Sequence, residues 1–278
     1  MATRLLHALL ASLLTLAPLV LGACNSLSGD RPTTETARLR RILDSGELRV
    51  GISADLPPLS MKDKQGHIIG FEADLIRALA HSMGLEVRFV ERAFPDLLDA
   101  LQGDDVDVVI AGMTITPERN ARVAFAGPYF ISGTSILTRD EEIAEVGDPT
   151  LLDDSSRTFA ALGGSTSAQF VRDILPNAKL VTTPDYETAV QMVIDGDADA
   201  LIADYLTCRL AVWRHEGEGL TALMTPFTVE PLGIALPPDA PLLLNLVENY
   251  LNTLESTGLL NQFKARWLAD GSWLSQLP

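Results

Sequence analysis

Two segments of the chain repeat a short pattern in which a helix ends at a glycine, which we expect to be left-handed, and an aspartate-rich turn leads into an apolar strand. Residues 100–110 read ALQGDDVDVVI, and residues 193–202 read VIDGDADALI. On both sides of each repeat, strand and helix signals alternate as β-α-β-α-β. Such alternation is typical of α/β folds with largely parallel sheets. The sequence therefore predicts two similar α/β lobes, each with a central sheet and flanking helices.

The segments after and between the two runs suggest how the lobes connect. One strand at 232–236 and a helical region at 241–267 follow the second run, and a lone strand needs an existing sheet to pair with. We therefore expect the tail to return to the first lobe, with crossings near 132–138 and 228–232. The predicted strands are 48–52, 86–90, 106–111, 158–162, 179–182 and 200–203, and the predicted helices are 71–83, 95–102, 167–175 and 186–194.

The N-terminus resembles an export signal. Arg4 precedes an apolar run at 5–21, which is also nearly long enough to be a retained membrane anchor. Small residues directly before Cys24 resemble the lipobox of bacterial lipoproteins, which predicts a lipidated Cys24 on the extracytoplasmic face of a membrane; the alternative is an incidental cysteine. The predicted organisation is a signal peptide at 1–23, a polar tether at 24–37, lobe 1 at 38–134 plus 231–278, and lobe 2 at 135–230.

Charge and cysteine content exclude several classes of function. The chain has a net charge of −16, which becomes −17 without residues 1–23 because Arg4 is the only charged residue there. Such a surface repels nucleic acid and acidic membranes, so the lipid is the only membrane contact expected. If Cys24 carries the lipid, Cys208 has no disulfide partner in the chain. The spacing of the four histidines does not match that of metal ligands. No metal, cofactor or obligate oligomer is predicted, and a monomer is expected.

In open α/β sheets, ligands bind beyond the carboxyl ends of the strands. Two lobes that face each other would line one cleft with four such loops, at 53–60, 112–119, 163–167 and 204–205. The loop at 112–119 opens a helix, with Thr116 at its cap and Pro117 first. Backbone from Gly112, the Thr114 hydroxyl and the Arg119 fork would suit a carboxylate. The alternative is a plain helix start whose arginine pairs with a surface acid.

The loop GGSTS at 163–167 is the matching feature of lobe 2. Thr166 to Gln169 reads as a capping box after a glycine turn, with Ser165 and Thr166 as candidate ligand contacts. The Gly-Lys-Ser/Thr ending of a nucleotide P-loop is absent. A cap without a ligand is the alternative.

The remaining candidates each have an ordinary structural explanation. Asp204 ends an apolar strand, where it is either an N-cap or a counter-ion for a ligand ammonium group. Phe94 and Leu56 adjoin cleft loops but could be core residues, and Ser53 and Asp55 could be turn formers. No Ser/His/Asp or Cys/His arrangement is readable, so no catalytic residue is predicted.

Three motifs resemble family 3 of the bacterial extracellular solute-binding proteins, the polar-amino-acid receptors of ABC importers. They are GHIIGFEADL at 66–75, GMTITPER at 112–119 and FAGPYF at 125–130, within a similarity that runs from about 48 to 267. The resemblance implies a two-lobed periplasmic-binding-protein type II fold whose hinge consists of two crossover segments. It also implies an extracytoplasmic receptor that closes around a small amino-acid-like ligand for an importer permease.

The resemblance also implies roles for individual residues. Arg119, Thr114 and Gly112 would hold the ligand carboxylate, with a contact from Thr166, while Asp204 would take the α-ammonium group. Phe94 matches an aromatic residue that stacks on the ligand side chain. This sequence departs from the family pattern at two positions, where Leu56 replaces a common second aromatic residue and Ser53 replaces the Asp of many cationic-ligand receptors. Both departures weaken a Lys- or Arg-type ligand, although Asp55 could compensate.

Two other functions remain open at this stage. Cyclohexadienyl dehydratases resemble the same family, so the chain could be an enzyme of that type. It could also be a ligand-sensing component that contacts a receptor instead of a permease.

Overall fold

The structure is a computed structural model that describes residues 34–269 and 271–277. The predicted signal peptide, Cys24 and residues 24–33 of the tether lie outside the described residues. Within the described ranges, no helix is both long and apolar enough to cross a membrane.

The first sheet has five strands in the order β5-β1-β6-β13-β7. β5 and β6 pair parallel with β1, whereas β13 pairs antiparallel with both β6 and β7. The last strand of the chain therefore lies in the same sheet as the first. The strands are β1 (Glu47–Ile52), β5 (Glu86–Glu91), β6 (Val108–Val109), β7 (Ala124–Ser132) and β13 (Glu230–Leu236).

The second sheet repeats this plan with the order β10-β9-β11-β8-β12. β10 and β11 pair parallel with β9, and β8 pairs antiparallel with β11 and β12. Both sheets therefore share the arrangement of three parallel strands, with the first strand of each run in the middle. The strands are β8 (Thr134–Thr138), β9 (Thr158–Leu162), β10 (Lys179–Thr183), β11 (Ala200–Asp204) and β12 (Thr221–Ala222).

Helices cover both sheets, and a small third sheet directly precedes the helix at Phe71–Ser82 along the chain. That sheet has the order β2-β3-β4. We use lobe 1 for the first sheet with α1, α2, α3, α9 and α10, and lobe 2 for the second sheet with α5 to α8. These helices pack against their sheet or, in the case of α10, against α2 and α9. The residue limits of the predicted domains remain a prediction. The remaining elements are α1 (Thr34–Ser45), β2 (Asp55–Leu56), β3 (Ser60–Lys62), β4 (Ile68–Ile69), α2 (Phe71–Ser82), α3 (Leu97–Gln102), α4 (Pro117–Asn120), α5 (Glu141–Ala144), α6 (Thr166–Ile174), α7 (Tyr186–Asp195), α8 (Tyr205–Arg214), α9 (Pro241–Ser256) and α10 (Leu259–Leu268).

The sheets are mixed, whereas the sequence pattern predicts largely parallel sheets. In each sheet one strand runs against the other four: β13, a predicted strand, in the first sheet, and β8 in the second. The sequence pattern predicts no strand at β7 or β8. β7 contains Gly127 and Pro128, which weaken a strand signal. β8 is buried along its whole length and lies in the segment predicted as a crossing.

The repeated aspartate-rich turn has the same role in both lobes. In lobe 1 the Asp107 carboxylate accepts the Arg49 N–H at 2.9 Å, and the Asp107 N–H donates to the Arg49 carbonyl at 2.8 Å. In lobe 2, Asp199 and Thr158 make the same reciprocal pair, at 2.6 and 2.8 Å. Each aspartate therefore aligns the strand that follows it, β6 or β11, with the first strand of its run, β1 or β9.

The two glycines in the repeat do not have the same conformation. Gly196 is left-handed with φ of 81°, as predicted. Gly103 has φ of −77°, and the left-handed residue is instead Asp104, with φ of 62°. The prediction of a left-handed Gly103 is therefore wrong, because aspartate also tolerates this conformation and takes it one residue later.

The lobes are joined by two crossovers that contact each other. Gly133 alone separates β7 from β8, and residues 223–229 separate β12 from β13. The Thr134 N–H donates to the Thr228 hydroxyl at 2.9 Å, and the Phe227 N–H donates to the Thr134 carbonyl at 2.8 Å. A β-carbon at Gly133 would lie 2.2 Å from the Thr228 carbonyl oxygen, so only glycine fits there.

We expect Asp107→Ala to lower the free energy of unfolding by about 3 kcal/mol, because it leaves Arg49 and Arg41 without their buried carboxylate partner. Asp105→Ala is the matched control, since its side chain is exposed, and should change stability by less than about 0.5 kcal/mol. Urea denaturation followed by circular dichroism measures both. Equal midpoints for the two variants would contradict this role of Asp107.

Candidate functional site

The carboxyl ends of the parallel strands of both sheets meet in one cleft between the lobes. Lobe 1 supplies the loops after β1 and β6, and lobe 2 supplies the loop after β9 and the end of β11. The lobes touch here, because the Arg119 guanidinium donates to the Gly164 carbonyl at 3.1 Å and the hydroxyls of Thr114 and Thr166 lie 3.5 Å apart. The structure is therefore a closed one.

Glu230, the first residue of β13, lies where the lobes meet and is only 7% exposed. Its carboxylate accepts four hydroxyl hydrogen bonds, from Thr114 and Thr166 at 2.7 Å, Thr134 at 2.5 Å and Thr228 at 3.1 Å. Burial alone would raise the pKa of Glu230, but these hydrogen bonds outweigh it and hold the pKa below its ordinary value. Glu230 is therefore a buried negative charge that connects lobe 1 to lobe 2.

Arg119 is the cation of this cleft. Thr116 caps α4 and Pro117 follows it, as predicted, and the Thr116 hydroxyl accepts the Arg119 N–H. One terminal nitrogen of Arg119 donates to the Thr114 carbonyl at 2.9 Å, and the guanidinium lies 5.5 Å from the centre of the Phe94 ring. Burial lowers the pKa of Arg119, but a guanidinium remains charged at neutral pH.

Asp204 faces the cleft from lobe 2. It occupies the N-cap position of α8, but its side chain makes no capping hydrogen bond. The carboxylate instead accepts the Ser132 hydroxyl at 2.7 Å and the Tyr186 hydroxyl at 3.4 Å. Burial raises the pKa of Asp204 to about 6, and the charge of Glu230 adds to this shift.

The cleft holds more negative than positive charge. The charges of Glu230 and Arg119 both act on Asp204, but among the described residues Asp204 forms no ion pair with a Lys, Arg or His side chain within 4.0 Å. A group with a positive charge would balance the site.

Two of the predicted contacts have other partners in the structure. The Ser165 hydroxyl, and not that of Thr166, caps α6: it accepts the Ala168 N–H at 3.1 Å and donates to the Leu162 carbonyl at 2.7 Å. The prediction of a capping box from Thr166 to Gln169 is therefore wrong: the cap is Ser165, and Ala168 three residues later has no polar side chain to complete a box. Because Thr166 is the first helical residue, its hydroxyl is free to bond Glu230.

Gly112 is also committed to a protein partner. It has φ of 61°, and a β-carbon there would lie 2.2 Å from a methyl group of Leu56, so the two residues are in close contact. Its N–H donates to the Glu72 carboxyl at 2.6 Å instead of facing the cleft. Of the other candidates, Ser53, Leu56 and Phe94 are buried beside the cleft, and Asp55 is half-buried.

Glu72 supports the loop from behind. It is fully buried, and its carboxyl accepts hydrogen bonds from Gly112 N–H and the Tyr129 hydroxyl. Burial raises the pKa of Glu72 to about 7. Burial and the neighbouring Glu72 charge also raise the pKa of Tyr129.

Glu230, Tyr186 and Glu72 are absent from the site residues predicted from sequence. One feature of the sequence could have indicated Glu230: it is an acidic residue at the start of an apolar strand, within a predicted crossing between the lobes. Glu72 lies inside the motif at 66–75, but its position next to a helix start suggests an exposed acid. Nothing in the local sequence indicates that Tyr186 points into the cleft.

The chain belongs to the bacterial extracellular solute-binding proteins, family 3, whose family model matches residues 48–270. Proteins of this family act outside the cytoplasm. The match confirms the resemblance and, with the solved structures below, the two-lobed fold.

Three relatives illustrate the range of the family. The cyclohexadienyl dehydratase of Pseudomonas aeruginosa is 31% identical over 84% of this chain and 87% of its own. The ancestral amino acid-binding protein AncCDT-1, a precursor of cyclohexadienyl dehydratase, has a TM-score of 0.75 at 35% identity and covers 82% of this chain and 98% of its own. A binding component of an ABC transporter from Wolinella succinogenes, complexed with lysine, has a TM-score of 0.77 at 36% identity. The match covers 83% of this chain and 99% of the other.

Glu72→Gln should reduce the loss of stability that the protein shows as pH rises. A carboxyl whose pKa is about 7 in the folded protein and 4.5 in the unfolded chain contributes stability that is complete below pH 4.5 and is lost as pH rises through 7. That loss corresponds to about 3 kcal/mol for a fully buried group. Glutamine is neutral and keeps an oxygen for Gly112 and Tyr129.

Urea midpoints at pH 5, 6, 7 and 8 measure this effect. The urea midpoint of Glu72→Gln should rise relative to that of the parent protein at each higher pH. The midpoint of Glu86→Gln, at an exposed position of β5, should follow that of the parent. If all three proteins lost stability in parallel, Glu72 would not titrate in this range.

Proposed function

We propose that this protein is the receptor of an ABC importer and captures an α-amino acid by closure of its lobes. One observation carries the proposal: Arg119 from lobe 1 and Asp204 from lobe 2 bring opposite charges into the same closed cleft. An amino acid has two poles that match them. The amino-acid-binding relatives support this ligand class.

The carboxylate of the ligand would bind Arg119. The hydrogen bonds to Thr114 and Gly164 use two of its five N–H groups, so others remain for a bidentate contact. Phe94, on which the guanidinium stacks, holds it in place.

The ammonium group would bind on the other side of the cleft, at Asp204 with Glu230 nearby. Burial, and after it the negative charge of Glu230, raise the pKa of Asp204, so the two carboxylates repel each other. A positive group between them relieves that repulsion. The hydroxyls of Thr114 and Thr166 serve this pole indirectly, since they donate to Glu230 instead of to a ligand carboxylate.

Closure couples binding to recognition by the permease. Ser132 and Thr134 beside the hinge contact Asp204 and Glu230, so the ligand-binding acids are attached to the segment that bends. A ligand that binds only the closed form also stabilises the fold, by about 2.7 kcal/mol at a hundredfold excess over the dissociation constant.

The proposal includes a lipid anchor. Cys24 would carry the lipid after removal of residues 1–23, and the polar segment that follows would let the receptor reach a permease from the outer face of the membrane. The receptor would act as a monomer.

Arg119→Ala should weaken binding of the best amino-acid ligand, identified by a thermal-shift screen of the twenty standard amino acids, by about 2–5 kcal/mol. The loss arises because a carboxylate would be buried without a cation. Titration calorimetry measures it, with Arg122→Ala as the control, since Arg122 bonds Asp99 and Gln102 at the surface. Equal affinities of Arg119→Ala and the parent protein would overturn the site.

An enzyme of the cyclohexadienyl dehydratase type is the second candidate. The Pseudomonas aeruginosa relative favours it, as does the cleft carboxyl Asp204, whose pKa of about 6 suits a general acid. Incubation of purified protein with prephenate and arogenate tests it. We expect no turnover above the uncatalysed rate, and turnover that Asp204→Asn abolishes would establish the enzyme instead.

A further inference from the structure

A second compartment adjoins the proposed amino-acid site. It is a cavity of about 310 Å³ between the lobes, with Asp55 on the lobe 1 side and Asp185, Tyr186 and Thr207 on the lobe 2 side. Its size is within the range of small-molecule sites. The Tyr186 ring forms part of its wall while the Tyr186 hydroxyl reaches Asp204, so one residue separates this cavity from the proposed ammonium site.

The cavity has negative charge without a matching cation. Its two long cationic side chains are already paired, Lys62 with Glu91 at 2.7 Å and Arg214 with Glu187 at 3.5 Å. Asp55 and Asp185 form no ion pair with any residue in the described ranges. Both acids line the cavity from opposite lobes, and burial, with the charge of Asp185, raises the pKa of Asp55.

A buried hydroxyl indicates a missing partner. Thr207 is only 8% exposed, and its Oγ1 has no hydrogen-bond partner among the described residues. Such a group costs free energy unless something binds it. Pro57, Val190 and Leu210 supply apolar wall between the polar groups, which suits a chain of methylene groups.

We propose that this cavity binds the positively charged end of the ligand's side chain, so that the ligand is a basic amino acid. The α-carboxylate and α-ammonium groups lie at Arg119 and Asp204, the methylene stem passes Tyr186, and the terminal guanidinium or ammonium group lies between Asp55 and Asp185. This inference rests on the proposed function and adds its ligand class. It assigns to Asp55 and Asp185 the charge that Ser53 does not supply.

Calorimetric titration with two matched pairs of probes tests the inference. L-arginine and L-citrulline have nearly the same shape and differ in charge, and L-lysine and L-norleucine differ by the terminal amine. The parent protein should bind each cationic probe at least about tenfold more tightly than its neutral match, as expected for a charge-assisted contact. Asp55→Asn and Asp185→Asn should each reduce that ratio, while citrulline affinity changes little.

The variants are chosen so that the fold is kept. Asparagine at 185 still caps α7, where the carboxylate now accepts the Thr188 N–H at 2.7 Å. Asp195→Asn, at the exposed other end of α7, is the control and should keep the parent ratio. Thermal denaturation by circular dichroism confirms that each variant is folded.

The outcomes separate this inference from the proposed function. Neutral and cationic probes of equal affinity, or a preference that survives in both variants, would overturn the basic-ligand assignment while amino-acid binding stands. Absence of binding for all twenty standard amino acids would overturn both.

Discussion

The two lobes are connected in the closed structure by one buried carboxylate. The Glu230 carboxylate accepts hydrogen bonds from threonine hydroxyls of lobe 1, of lobe 2 and of the adjacent crossover, at distances of 2.5 to 3.1 Å. A buried charge must be compensated, and here threonine hydroxyls provide the compensation without a cation. This leaves Arg119, the cation of the cleft, available to a ligand. The position of Arg119, the negative excess around Asp204 and the contact between the lobes all depend on this arrangement.

Patterns of short range predict much of the fold. The alternation of strands and helices and the repeated aspartate turn indicate two related α/β units. In the structure, each unit contributes three neighbouring parallel strands to its own sheet. The role of the turn can be recognised from sequence, because Asp107 and Asp199 each bond the backbone of a strand that the pattern already predicts. The four cleft loops follow from the same information, since the carboxyl ends of parallel strands determine where a ligand can lie.

The site itself depends on contacts that no local pattern encodes. Glu230 meets Thr114 across 116 positions of the chain, and Tyr129 meets Glu72 across 57. Small shifts in backbone geometry also change which side chain is available. Because Ser165 and not Thr166 caps its helix, the Thr166 hydroxyl belongs to the cleft. Because Gly112 donates to Glu72, the loop is held by the protein interior, and its N–H is not a ligand contact.

The crossing at Gly133 determines what kind of movement the lobes can make. A single residue joins strands of two different sheets, and the second crossover lies against it, with Thr228 so close that no side chain fits at position 133. Two segments joined in this way can bend together, but neither can lengthen or slide past the other. This arrangement favours rotation of one lobe against the other about the crossovers over sliding. Under the proposed function, selectivity would depend on how far that rotation is completed, because a ligand that is too bulky would stop it before Arg119 and Asp204 reach the separation of the closed structure.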